Sequence, residues 1–160
     1  LIARVGESGG PEIVGVGCQA SRGMRGGMIV EMEAARAVIA QTIAAAEAMV
    51  LGMKAGLEPE QIFKFANGGA GQSRMFEIRG PMMVKDDYSV PTMKNYLWQK
   101  DMAVIGEFAN RLGVPTPMFS ATLPIYASTL STGYAEQDTG AVCGVLEKMA
   151  GVKRKKKKKK

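Results

Sequence analysis

The sequence predicts an all-α fold, a helical bundle of about six helices packed around one long central helix. Three observations carry that expectation. Residues Met28 to Ala55 contain no Gly or Pro except Gly52 and are dense in Ala, Met and Glu, which form helices readily. Leu97, Met102, Ile105, Phe108 and Leu112 recur at helical spacing between Lys94 and Gly113. Elsewhere, glycines and prolines cut the chain into pieces the length of short helices.

In chain order, residues 1–27 read as an irregular Gly-rich lead-in, where only Glu12 to Val16 has the character of a strand. Residues 28–152 then form the helical domain. Met28 to Ala55 would make a helix about 40 Å long. It is apolar on nearly all sides around Ile39 to Met53, so it must be enclosed by other helices or by a partner subunit. Gly56 ends it, after Lys54 in the last turn. Pro59 near the first turn starts a short helix, Gln61 to Ala66, which stops at Asn67-Gly68-Gly69. Another runs from Gln72 to Ile78 and ends at Gly80-Pro81. Lys94 to Leu112 is clearly amphipathic and is capped by Gly113. Pro117 to Leu130 follows, with Pro124 as a kink. Thr139 to Met149 is last, closed by Gly151. Residues 153–160 form a basic tail.

That tail controls the net charge of +6. Without its eight bases the chain has 13 basic and 15 acidic residues, a net charge of −2. A like-charge block repels itself, so the tail is expected to be disordered and to contribute nothing to folding. It offers non-specific contact to polyanions, but no aromatic is interleaved for base stacking. The absence of histidine excludes Ser-His-Asp and Cys-His catalysis and every His-containing metal site. Two cysteines are too few for a zinc cluster or a disulfide framework, so no metal is expected. No secretory signal is seen, and Ala34 to Met53 is Ala-rich and interrupted by Arg36, Gln41, Thr42 and Glu47. It reads as a buried helix, not a membrane span, and the chain reads as cytoplasmic.

Three motifs bear on chemistry. Gly15-Val16-Gly17-Cys18-Gln19-Ala20 fits a dinucleotide fingerprint, but Gly23, Gly26 and Gly27 would break the helix that such a fingerprint must open. Gly68-Gly69-Ala70-Gly71-Gln72-Ser73-Arg74 is a glycine loop opening a helix. Its amides, hydroxyl and guanidinium suit a carboxylate or phosphate, although a plain helix–helix turn is the more ordinary reading. Gln99-Lys100-Asp101 lies on the strongest amphipathic helix, where a lysine is ordinarily a solvated surface residue.

From Ala44 onward the chain resembles a known family. Ala44 to Leu57 (AAAEAMVLGMKAGL) resembles the core helix of the second domain of β-hydroxyacid dehydrogenases, the 3-hydroxyisobutyrate dehydrogenase group related to 6-phosphogluconate dehydrogenase. The resemblance continues, in the family's order, through GGAGQS at Gly68–Ser73, FEIRGP at Phe76–Pro81, WQKD at Trp98–Asp101, LGVPTP at Leu112–Pro117 and QDT at Gln137–Thr139.

The resemblance implies the all-α C-terminal domain of such an enzyme, one that packs on an N-terminal Rossmann domain and forms a homo-oligomer, usually a dimer. It implies NAD or NADP as cofactor, contacted by Lys100, and a small 3-hydroxy acid as substrate, approached by Gly69, Gly71 and Ser73. No stretch of these 160 residues matches the Rossmann domain, so cofactor binding by the chain alone is not expected. The family's catalytic lysine and the Asn one turn later also fail to appear. Counting back without gaps from Lys54-Ala55-Gly56 places Glu31 at the lysine and Ala35 at the Asn. An alignment through Gly15-Val16-Gly17 places Ser21 at the lysine instead. A carboxylate would repel the developing alkoxide that an ammonium stabilises, so the chain is expected to be inactive. The alternative is a non-catalytic helical oligomerisation module. A polyanion binder driven by the tail is a third reading.

Overall fold

The computed structural model describes the backbone of residues 2–5, 11–14 and 24–154, with side chains from residue 30 onward. Six helices follow a short hairpin. Strand β1 (Ile2–Val5) pairs antiparallel with β2 (Pro11–Val14), in a register that sets Ile2 opposite Val14 and Val5 opposite Pro11. Helix α1 spans Met24–Lys54, α2 Pro59–Asn67, α3 Arg74–Lys85, α4 Asn95–Leu112, α5 Pro117–Ser131 and α6 Val142–Ala150. A 3-10 turn at Thr139–Ala141 leads into α6.

The all-α bundle and its long central helix are as the sequence predicts. Helix α1 packs against each of the other five. Its inner face supplies Met32, Ile39, Ala46 and Met49 to a core completed by Phe76, Met83, Trp98, Ile105, Phe119, Tyr126 and Val142. Between Val30 and Lys54 this helix is long and apolar enough to cross a membrane by length and composition, and 39% of an eighteen-residue window within it is buried in the bundle.

Several boundaries differ from expectation. Residues 1–27 are not uniformly irregular: the strand expected at Glu12–Val16 is Pro11–Val14, and Ile2–Val5 supplies the partner without which a lone strand has no ladder. Helix α1 starts at Met24 and runs through Gly26 and Gly27. Two glycines cost about 1 kcal/mol each, which a long run of good helix formers on their C-terminal side can offset. Nor is α1 enclosed on every side. Ala34, Ala37, Ala44, Ala48 and Leu51 are exposed.

Helix α3 does not stop before Gly80-Pro81 but continues to Lys85. The glycine there serves packing: a Cβ at Gly80 would collide with the Phe63 ring of α2, which also meets Phe76 edge-on at 5.3 Å between centroids. The helix ends at Asp86, which takes the left-handed conformation at φ 56°.

The basic tail is a further correction. Arg154 is not a solvated base. Its Nε and Nη2 donate to the Glu147 carboxylate at 2.9 and 2.5 Å, and its Nη1 donates to the Val84 carbonyl at 3.2 Å. Glu147 is itself buried, so a charge run by composition contains one residue that completes the fold. Residues 155–160 lie outside the described residues.

Candidate functional site

Lys100 stands in the first half of α4, and the placement of that helix is set by a buried polar staple. Asp138 is fully buried. Its carboxylate accepts from Arg79 Nε (3.0 Å) on α3, from the Thr92 amide (2.8 Å) and hydroxyl (2.9 Å), and from the Gly140 amide (2.8 Å). Burial alone pushes this carboxyl upward, but the Gly140 amide, the Arg79 guanidinium and the Thr92 donors outweigh it and hold it below the usual carboxylate range. Arg79 Nε also donates to Thr139 Oγ1 at 2.8 Å. One residue into α4, the buried Asn95 side chain donates to the carbonyls of Tyr134, Gln137 and Asp138 at 2.9, 3.1 and 3.0 Å. The start of α4 is therefore clamped to both α3 and the approach to α6.

Gln99 continues the clamp, donating from Nε2 to the Tyr126 carbonyl of α5 at 3.1 Å. Trp98 faces inward and is buried, while Lys100 is exposed and makes no ion pair among the described residues. Asp101 is buried, and its Oδ1 has no hydrogen-bond partner among the described residues. Burial raises its carboxyl above the usual range, partly offset by Lys100 next to it.

The glycine loop joins α2 to α3. Gly69 and Gly71 are exposed and Ser73 is half-buried. Ser73 is the N-cap of α3, its Oγ accepting from the Phe76 amide at 3.1 Å. Among the described residues, no hydrogen bond takes its hydroxyl proton. Arg74, however, turns to Glu77 at 2.7 Å, and the Gly69 and Gln72 amides are used within the turn. Of the donors the sequence points to, part are thus spent on starting the helix. No hydrogen bond or ion pair links this loop to Lys100 among the described residues, although the Arg79–Asp138 staple ties their two helices together.

Glu31 and Ala35 lie near the start of α1. Glu31 is exposed, whereas Ala35 is half-buried against the core. The alternative position Ser21 and the fingerprint-like Gly15–Ala20 lie outside the described residues. Among those described, no group of three or more acidic or cysteine side chains is placed to hold a metal.

Arg79, Thr92, Asn95, Asp138 and Arg154 were not singled out by chemistry in the sequence. Arg79 and Asp138 do sit inside the FEIRGP and QDT segments that carry the family resemblance, but their pairing across 59 positions leaves no local mark in the sequence.

Residues 34–146 match the family described as "NAD-binding of NADP-dependent 3-hydroxyisobutyrate dehydrogenase". The chain is 32% identical over 103 residues to L-threonate dehydrogenase of Cupriavidus necator, covering 64% of this chain and 34% of that protein. It is 29% identical over 110 residues to 2-hydroxy-3-oxopropionate reductase of Escherichia coli, covering 69% and 37%. In structure it is similar to 3-hydroxyisobutyrate dehydrogenase from Salmonella typhimurium, with a TM-score of 0.71 and 30% identity over 74% of this chain and 41% of that one. The chain spans about a third of the length of the curated relatives it matches.

Proposed function

Because this chain belongs to the family of NAD-binding domains of NADP-dependent 3-hydroxyisobutyrate dehydrogenases, we propose that it is the C-terminal helical domain of an NAD(P)-dependent oxidoreductase acting on a small 3-hydroxy acid. The observation that carries this reading is Lys100: an exposed ammonium without an acidic partner among the described residues, on a helix whose start is clamped by Asp138 and Asn95. Such a group fits a dinucleotide, whose phosphates and ribose hydroxyls accept hydrogen bonds from an ammonium. When bound, the oxidised cofactor would accept the hydride that leaves the hydroxy acid, and its reduced form would return it in the reverse reaction. The chain supplies the rest by position. Lys100 holds one side of the cofactor, Ser73 donates its hydroxyl proton toward the substrate carboxylate, and the Gly69–Gly71 turn lets the substrate approach the backbone closely. The nucleotide fingerprint comes from a Rossmann domain outside these 160 residues. In the gapless register Glu31 and Ala35 stand where a lysine and an asparagine are needed, so these residues bind and position without catalysing turnover. The protein works in the cytoplasm.

One observation favours a second role, as an oligomerisation module. The exposed Ala34, Ala37, Ala44 and Ala48 of α1 make a face of small side chains that lets a second helix come close, and Leu51 extends it. A homo-oligomer formed through this face is compatible with the first reading and would survive without it.

A chimera joining this chain to a relative's Rossmann domain tests the proposal. It should bind NADH or NADPH, and Lys100→Ala should weaken that binding about tenfold, the loss of one charge-assisted hydrogen bond, while leaving the melting temperature unchanged. Equal binding by both chimeras would remove Lys100 from the site. Oligomerisation without any nucleotide binding would favour the second role.

A further inference from the structure

Helix α1 turns one face to solvent from Val30 to its C-terminal end. Val30, Ala34, Ala37, Gln41, Ala44, Ala48 and Leu51, with Ala55 just past the last turn, are all exposed and are spaced alternately by four and three residues. That spacing is the heptad seam by which one helix packs along another. The alanines let two helix axes come close, and Gln41 is the one polar member. Larger apolar side chains frame them. Val30 and Leu51 are 69% and 73% exposed, and beside Leu51 a groove of about 390 Å³ between α1 and α6 is lined by Val50, Leu146 and Met149, the last 71% exposed. About 36 Å of largely apolar surface is thus left without a partner among the described residues.

The charges beside the seam identify what covers it. Glu33, Ala40, Glu47 and Lys54 flank it on one side at heptad intervals. Arg36 takes only Oε2 of Glu33, and Lys54 spends one of its three donors, on the Ala150 carbonyl at 2.8 Å. An antiparallel second copy of α1, with the two-fold axis at the level of Thr42 and Ile43, opposes every seam residue with another: Val30 with Ala55, Ala34 with Leu51, Ala37 with Ala48, Gln41 with Ala44. Glu33 of each copy then meets Lys54 of the other, and the two Gln41 amides fall within about one helical turn of each other. A slip of one heptad sets Glu47 against Glu47 or against Glu33, and a parallel pair sets Glu33 against Val38. A register built on Glu47 and Lys54 engages only about half of the seam. We propose, resting on the oligomerisation role above, that this face is the two-fold interface of a homodimer, in which the α1 helices of two copies pair antiparallel and Glu33 of each bonds Lys54 of the other.

The test is analytical ultracentrifugation of the full chain at low salt. The unmodified chain should form a dimer. Glu33→Lys and Lys54→Glu each set like charges together at both ends of the seam, and each should weaken the dimer about tenfold, an effect that shrinks as salt is added. Mixing the two variants should recover it as a one-to-one hetero-pair, because every lysine then meets a glutamate. Glu33→Lys plus Lys54→Glu in one chain should recover it too. Both recoveries read assembly, which a folding defect in either variant cannot imitate. Glu47 lies opposite Ala40 in this register, so Glu47→Lys should leave the affinity unchanged. A dimer indifferent to both reversals, or one weakened by Glu47→Lys and not by Glu33→Lys, would overturn this interface and leave the oligomerisation role standing. An unmodified chain that stays monomeric at every concentration would overturn both. The Rossmann chimera should obey the same charge rule, and a monomeric chimera would show that the added domain covers this face instead of a second copy.

Discussion

Replacing Asp138 with Ala should be among the most damaging single changes in this domain. The aspartate is fully buried and receives donors from three separate segments. Its removal strands the guanidinium of Arg79, which is 5% exposed, and the amides of Thr92 and Gly140. Breaking a buried pair from one side costs about 3–5 kcal/mol. Arg79 retains Thr139 Oγ1 at 2.8 Å, so the lower half of that range, about 3–4 kcal/mol, is expected. For a domain of this size that corresponds to a fall of roughly 10–15 °C in Tm. Urea unfolding followed by circular dichroism measures it. The pH dependence adds an independent check. Because the folded carboxyl is held below its unfolded value, the stability it contributes is full above about pH 4 and is lost as pH falls through the lowered folded value. The difference between wild type and Asp138→Ala should therefore narrow in acid. A loss below about 1 kcal/mol at pH 7, or a difference that widens as pH drops from 4 to 2, would refute the staple as described.

Two further changes probe packing and assembly. Gly80→Ala should destabilise by about 1–3 kcal/mol, because its methyl meets the Phe63 ring between α2 and α3, and Gly80→Ala with Phe63→Leu should recover part of that loss in the same melts. Ala44→Glu and Ala48→Glu each place a carboxylate on the exposed face of α1, and each should shift the chain toward monomer in light scattering while altering the monomer's stability by no more than about 0.5 kcal/mol.

Much of the fold was legible because the two longest helices, α1 and α4, obey local rules: good helix formers uninterrupted by proline in one, apolar spacing with a terminal glycine in the other. The misreadings came where tertiary contacts overrode those rules. Gly80-Pro81 reads locally as a stop, yet Phe63 needs a residue without a side chain beside it, and the helix continues. Arg79 and Asp138 are 59 positions apart, and nothing local says that they meet. Arg154 was hidden by its neighbours, since seven of the eight bases in its run are lysines that composition treats alike. At the candidate site, the exposure of Lys100 was legible from the polar face of α4. The donors spent inside the glycine loop were not, because Ser73 reads the same whether it caps a helix or greets a ligand.

On the proposed function, these residues position a cofactor and a hydroxy acid but lack the cation that the reaction needs. The most direct measurement is the rate of NAD(P)H formation from 3-hydroxyisobutyrate by the Rossmann chimera, with and without Glu31→Lys plus Ala35→Asn. Losing one electrostatic donor of this kind commonly costs a factor of about 10² to 10³, and a like charge in its place costs more. The restored chimera should therefore turn over at least about a hundredfold faster than the unmodified one. Equal rates would show that another residue carries the charge.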